Sequence, residues 1–266
     1  MALSIAKVAN WLHQVDKARA VVGWWPTQFA TDDERLAYKV QDAFLKKQVI
    51  KQGPLVGYKI ALTSPQIFEQ TGLRGPAYGP IRKKRVFEHK TSVRADRWTR
   101  LGVELEIILA VNADVPKPRA MPYDKDSIAP FVGSARAGFE LIEDRGADYS
   151  RLAVNPLIMD AGWNGGSLLA KPNKDWSKLD LGNLKGSISF DGKVVREGHS
   201  GDVLGHCYNS LAWLANKLGD HGKTLKKGMI VSSGSMVACQ FVPPGSTATG
   251  RIEGLGEVSL KYELPR

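Results

Sequence analysis

The run Leu101-Gly-Val-Glu-Leu-Glu-Ile-Ile-Leu-Ala-Val111 constrains the fold more than any other stretch of this chain. As a strand, it places Val103, Leu105, Ile107 and Leu109 on one face and Glu104, Glu106, Ile108 and Ala110 on the other. Neither face is polar throughout. Two carboxylates therefore project from a face that continues apolar, roughly 7 Å apart along the backbone. Like charges at that spacing repel by about 2–3 kcal/mol at an effective dielectric of about 20, and desolvation adds to this. A cation, a basic side chain or a captured proton must compensate, and a hard divalent metal is the natural candidate. An edge strand whose glutamates point to water satisfies the spacing equally well.

A second strand-like run, Ala137-Gly-Phe-Glu-Leu-Ile-Glu-Asp-Arg145, sets Glu140, Ile142 and Asp144 on one face. Three carboxylates, Glu104, Glu106 and Glu140, drawn from two strands would make an all-oxygen site that suits Mg²⁺, with Mn²⁺ next, better than zinc or copper. Asp144 and Arg145 could join this site or form an ordinary surface pair, and for Arg145 the surface pair is the plainer reading. Lys59, in Gly57-Tyr-Lys-Ile-Ala-Leu-Thr-Ser64, sits among apolar and small residues. Near a metal-bound anion it could orient a carboxylate or move a proton, with burial lowering its pKa; a lysine snorkelling from a strand end is the plainer alternative. His206 reads as a hydrogen-bonding residue at a helix start, and Ser232-Ser233-Gly234-Ser235 ends a strand with hydroxyls and amides free for a ligand or a turn.

The chain carries 37 Lys+Arg against 27 Asp+Glu, a net charge of +10 that attracts anions. Much of the excess lies between Arg82 and Arg100, which reads as a solvated face drawing in small anionic substrates. No zinc finger, helix-turn-helix or RNP-like stretch accompanies it, so nucleic acid is not the expected partner. No apolar run approaches the length of a membrane span, and no charged leader followed by an apolar block opens the chain. Two cysteines, Cys207 and Cys239, make neither a disulfide framework nor a zinc spacing, so a reducing cytoplasm is the expected compartment. A Walker loop, a Rossmann fingerprint and Gly-x-Ser-x-Gly are all missing, which removes nucleotide chemistry.

The expected fold class is α+β. Residues 3–20 show helical spacing, and Thr31 with Glu34 forms a capping-box signature before Leu36, Val40 and Phe44. From Gly53 the texture changes to strand-like runs at 54–63, 101–111, 137–143, 185–196, 228–233 and 257–263. One late helix carries Leu211, Leu214, Ala215 and Leu218, with Gly219 as its stop. The division predicted is an N-terminal helical segment over 1–52 and a catalytic body over 53–266.

Taken in order, Gly57-Tyr-Lys-Ile-Ala-Leu-Thr-Ser64, Glu104-x-Glu106, Phe139-Glu-Leu-Ile-Glu-Asp-Arg145, Leu204-Gly-His-Cys-Tyr-Asn209 and Gly228-Met-Ile-Val-Ser-Ser-Gly-Ser235 strongly resemble one group of enzymes. This is the 2-keto-4-pentenoate hydratase and 4-oxalocrotonate decarboxylase branch of the fumarylacetoacetate hydrolase superfamily. The likeness runs over nearly the whole chain and closes with Gly254-Leu-Gly-Glu-Val-Ser259. It implies a mixed β-roll body preceded by helices, a homo-oligomer, and Mg²⁺ or Mn²⁺ bound through Glu104, Glu106 and Glu140. It places Lys59 at the active-site lysine position, and Thr63, Ser64 and Ser235 around the substrate. The implied substrate is a 2-oxo or 2-hydroxydienoic acid that chelates the metal. Water would add at C4 in a hydratase, and CO₂ would leave in a decarboxylase.

Two departures accompany the likeness. Hydratases of this branch usually carry an acid in Pro-Asp-Phe-Gly, where this chain reads Pro76-Ala77-Tyr78-Gly79, and decarboxylases typically have an apolar residue there. The branch often has Ala-Asp-Asn where this chain has Ala153-Val154-Asn155-Pro156. The expected activity is a metal-dependent hydratase acting in aromatic meta-cleavage type catabolism. A decarboxylase is the alternative, and an anion- or nucleic-acid-binding protein on the same scaffold is the non-enzyme alternative.

Overall fold

The computed structural model describes residues 3–23, 25–73, 75–118 and 121–265. Met1, Ala2 and Arg266, at the two ends of the expected division, lie outside the described residues.

Helix α1 (Ile5–Ala18) opens on Ser4, whose hydroxyl accepts from the Lys7 amide, and it buries Val8, Ala9, Leu12 and Val15 along one face. Helix α2 (Glu34–Gln52) packs against it. Its cap is Asp33, which accepts from the Leu36 amide at 3.0 Å, while the Thr31 hydroxyl accepts from the Asp33 amide. The capping box expected at Thr31 and Glu34 is therefore displaced, because an aspartate nearer the helix offers the better-placed acceptor.

From here the chain is dominated by strands. The first are β1 (Leu55–Ala61), β2 (Ala77–Arg82), β3 (Val86–Glu88), β4 (Lys90–Arg94) and β5 (Leu101–Val111), with helix α3 (Pro65–Thr71) following β1. Then come α4 (Lys125–Ile128), β6 (Val132–Glu143), α5 (Val154–Met159), β7 (Asn164–Leu169), β8 (Lys185–Phe190) and β9 (Lys193–His199). Helix α6 (Cys207–Asp220) precedes β10 (Ile230–Ser235), β11 (Gln240–Phe241), β12 (Thr247–Ile252) and β13 (Gly256–Glu263).

Two mixed sheets result. The larger runs β2-β1-β10-β5-β6-β7-β3, with β11 pairing β5, and the smaller runs β4-β13-β12-β8-β9. They pack face to face around the middle of β5 and β6. A side chain on Gly250 of β12 would strike Phe139 and Leu105 at 2.4 and 3.0 Å, so glycine is what lets the sheets close there. Leu105 and Phe139 thus face the smaller sheet, and the alternate residues face the other way.

Several expectations change. The single strand expected at 185–196 is a hairpin, β8 and β9, turned at Asp191 and Gly192, both with positive φ. Helix α6 does not stop at Gly219. It continues to Asp220, and the glycine lies against Pro118, whose ring a Cβ would meet at 2.8 Å. The basic segment is not one solvated face. Arg82 is buried in β2, giving hydrogen bonds to Gln48 and to the Asn164 carbonyl, and Arg100 pairs with the buried carboxylate of Asp144. No helix among the described residues is long and apolar enough to cross a membrane.

Candidate metal centre

Strands β5 and β6 are antiparallel neighbours in the register that sets Glu104 opposite Glu140 and Glu106 opposite Gly138. Because side chains alternate, Glu104, Glu106 and Glu140 emerge on the same face, away from Leu105 and Phe139. One carboxylate oxygen from each lies within 4.8 Å of the others. Glu106 and Glu140 are fully buried, and Glu104 is half-buried at the edge of a cavity. The site is therefore built from a cross-strand pair and its neighbour two residues along, which the wholly apolar flanks of β5 hold inside the sheet.

Three groups hold these carboxylates in place. The Asn164 amide on β7 donates to Glu140 Oε1 at 2.9 Å. The Gly234 amide donates to Glu106 Oε2 at 2.8 Å. Gly234 sits where the register of β10 slips against β5, at φ +113°, and a Cβ there would fall 2.0 Å from Thr63 Oγ1. Only glycine bends the strand so that its N–H meets the glutamate. The third group is Lys59 on β1, buried, with Nζ 3.1 Å from Glu140 Oε2.

Among the described residues, Lys59 is the one cation against the three acids, so the cluster carries two excess negative charges when fully ionised. Burial, the largest cause, pushes Glu104 up to about 7, with Lys59 opposing and Glu140 adding to the rise. Burial also raises Glu106, helped by Glu140 and Glu104, and raises Glu140 against the pull of Lys59. For Lys59 itself, burial acts downward, yet Glu140, Glu104 and Glu106 together leave it above its ordinary value. The expectation that burial lowers this lysine is overturned: it is held as an ammonium.

The donor set fits a hard dication. Among the described residues, Glu106 Oε1 is buried without a hydrogen-bond partner, and Glu140 Oε2 has only the Lys59 ammonium. All the acidic donors are oxygens, and a charge of +2 would balance the cluster.

A cavity of about 30 Å³ opens on the centre, lined by Lys59, Glu104, Thr63 and Ser235 and also by Gln70, Tyr149, Leu157, Trp163 and Cys239. Thr63 Oγ1 is buried and unpartnered. The Ser235 hydroxyl donates to the Val237 carbonyl at 2.6 Å, so it shapes the wall with its proton already committed. Ser64 stands at the N-cap position of α3 without a side-chain capping bond, and is fully buried outside the lining. Asp144 and Arg145 are not a surface pair. Both are buried, and Arg145 makes a two-pronged contact with Asp160 at 2.8 and 3.1 Å. His206 caps α6, accepting from the Tyr208 amide through Nδ1. Asn164 and Trp163 escaped the sequence reading, since nothing in their spacing marks them, whereas the amide that meets Glu106 belongs to the Ser232–Ser235 stretch already singled out.

No protein-family model matches the chain. It is 25% identical to a 2-keto-4-pentenoate hydratase of Paraburkholderia phymatum over 261 residues, covering 97% of each. It is also 25% identical to a 4-oxalocrotonate decarboxylase of Pseudomonas putida, over 85% of this chain and 84% of that one. The chain is a homologue of these hydratases and decarboxylases. The solved structure of 4-oxalocrotonate decarboxylase from Pseudomonas putida G7, complexed with magnesium and adipate, superposes with a TM-score of 0.88 at 23% identity, over 98% of this chain and 99% of that one. The chain accordingly shares the fold of that structure, and the expected body of mixed sheets behind a helical N-terminus stands.

Proposed function

We propose that the protein is a metal-dependent lyase that adds water to a 2-hydroxy-2,4-dienoate or the corresponding 2-oxo-alkenoate, with Glu104, Glu106 and Glu140 holding Mg²⁺ or Mn²⁺. The observation that carries this is the convergence of three carboxylates and one buried lysine on a single sheet face, at the inner end of a cavity. A dication held there would polarise the 2-oxygen of an α-oxo acid and stabilise the charge that gathers on it as a proton moves.

The remaining work falls to the chain's own side chains. Lys59, kept charged by its three acidic neighbours, binds the carboxylate end of the substrate and orients it. Thr63 offers an uncommitted hydroxyl to a substrate oxygen. Asn164 and Gly234 fix Glu140 and Glu106 so that neither has to reorganise. The apolar side chains of the lining, Ile142, Leu157 and Trp163 among them, limit the water that enters with the substrate.

Decarboxylation is the second reading, favoured by one observation. Ala77, where an acid is usual in hydratases, lies fully buried in β2 opposite Ala61, and no aspartate or histidine lines the cavity among the described residues. The test is to follow the absorbance of 2-hydroxypenta-2,4-dienoate and CO₂ release from 2-oxohex-3-enedioate, each with Mg²⁺, Mn²⁺ and EDTA. Metal-dependent loss of the dienoate is the expected result. CO₂ release alone supports the second reading, and turnover of neither refutes both.

A further inference from the structure

Behind the metal cavity lies a second, larger space of about 140 Å³, walled by Trp11, Val22, Trp25 and Pro156. Leu157 and Trp163 line both spaces and form the boundary between them. An apolar cavity of roughly 150 Å³ accommodates benzene, whereas about 30 Å³ at the metal centre holds only a short chain. We infer that this chamber is the subsite for an uncharged alkyl or aryl tail on the far end of the 2-oxo acid, with Trp163 setting the bulk that can pass. This assignment rests on the lyase reading above.

Charge decides against a second carboxylate as the tail. Among the described residues lining the metal cavity, Lys59 is the only cation, and it serves the inner end. At the chamber, Arg145 is held by Asp160 and Asp16, and Asp144 by Arg100. Asp148 and Arg151, of opposite charge, stand exposed at its rim. An anionic tail entering there would lose its hydration without gaining an uncommitted buried partner.

The boundary is also positioned by the backbone. Ala161, Gly162 and Trp163 are consecutive residues at φ +57°, +61° and +59°, a conformation that costs about 1–2 kcal/mol at each non-glycine residue. The turn lies directly on the lysine: a Cβ on Gly162 would meet Lys59 Cδ at 3.1 Å. Trp163 is thereby fixed one residue beyond the lysine contact, with its ring 5.8 Å from that of Tyr149. A tail extending from a carboxylate held at Lys59 meets the indole first, then the chamber.

The test is calorimetric titration of the protein with Mg²⁺ and three inert 2-oxo acids: 2-oxopentanoate, 2-oxo-6-phenylhexanoate and 2-oxoheptanedioate. The phenyl compound is expected to bind at least tenfold more tightly than 2-oxopentanoate, and the dicarboxylate no more tightly. In Ala153→Phe, and separately in Val22→Trp, which fill the chamber, the ratio of phenyl to short-chain affinity should collapse to below threefold. Equal or weaker binding of the phenyl compound, a tenfold preference for the dicarboxylate, or a phenyl preference that survives both filled variants overturns the inference. Failure of even 2-oxopentanoate to bind in a Mg²⁺-dependent way would instead refute the lyase reading on which it stands.

Discussion

Replacing Glu106 by Gln gives the sharpest test of the metal centre, because a structural glutamate and a metal ligand respond in opposite ways. The shape is nearly conserved, and the amide oxygen can still accept from Gly234. In the metal-free protein, carboxylates within 4.8 Å repel by about 3.5 kcal/mol per pair at an effective dielectric of about 20. Glu106 takes part in two such pairs. Proton uptake relieves much of this, each pK unit of perturbation being worth about 1.4 kcal/mol, so removing the charge should stabilise the metal-free protein by about 2–3 kcal/mol near neutral pH. In a chain of this size that raises Tm by about 4–10 °C. The wild type, at a metal concentration 100 times Kd, should gain about 2.7 kcal/mol from Mg²⁺, and the variant almost none. Scanning calorimetry at pH 7.5 with EDTA and then with excess Mg²⁺ reads both effects. A variant less stable than wild type in EDTA, or one that keeps the full Mg²⁺ shift, would show that Glu106 is a packing residue.

Three further outcomes follow from the same geometry. With the cluster's carboxylates raised by burial, and Glu104 up to about 7, the folded metal-free protein binds more protons than the unfolded chain. This contribution to stability is complete below about pH 4.5 and is lost as pH rises toward 7, so Tm in EDTA should fall across that window by the equivalent of about 2–3 kcal/mol; a flat profile contradicts the raised carboxylates. Lys59→Met should keep Mg²⁺ binding, measured by calorimetry, but reduce kcat/KM at least 100-fold and destabilise the metal-free protein by about 3 kcal/mol, since Glu140 loses its buried partner; full turnover would make the lysine structural. Gly234→Ala should cost more than about 2 kcal/mol in denaturant unfolding and weaken Mg²⁺ binding, because the added methyl collides with Thr63 and displaces the amide from Glu106; unchanged metal affinity would free Glu106 from that amide.

How far the sequence discloses such a site depends on whether a residue's role is local or relayed. Glu104 and Glu106 are legible because two carboxylates on one apolar strand face raise a charge problem that must be solved nearby. Glu140 is legible because its own strand has the same fault, and the register that joins the two strands places Glu104 against it. Lys59 is visible for the converse reason, a charge with no local solvent. The mistaken direction of its pKa shows what one strand cannot reveal: desolvation is a property of the lysine's own environment, but the three opposing charges arrive from strands distant in sequence.

Residues that act through another escape altogether. Asn164 holds Glu140, and buried Arg82 in turn holds Asn164 through its carbonyl, yet each by itself is an unremarked polar residue in a strand. Burial pulls Arg82 down to about 10, with Arg85 and Arg145 acting in the same direction, and nothing in a run of basic residues tells which one the fold will bury. The same holds for the misread surface pair. Arg145 looks adjacent to its natural partner Asp144, but positive φ at Arg145 turns the chain, sending the two side chains to Asp160 and Arg100 instead. Positive φ at Arg145, invisible in composition or spacing, thus accompanies the burial of both charges, and both line the space next to the carboxylate cluster.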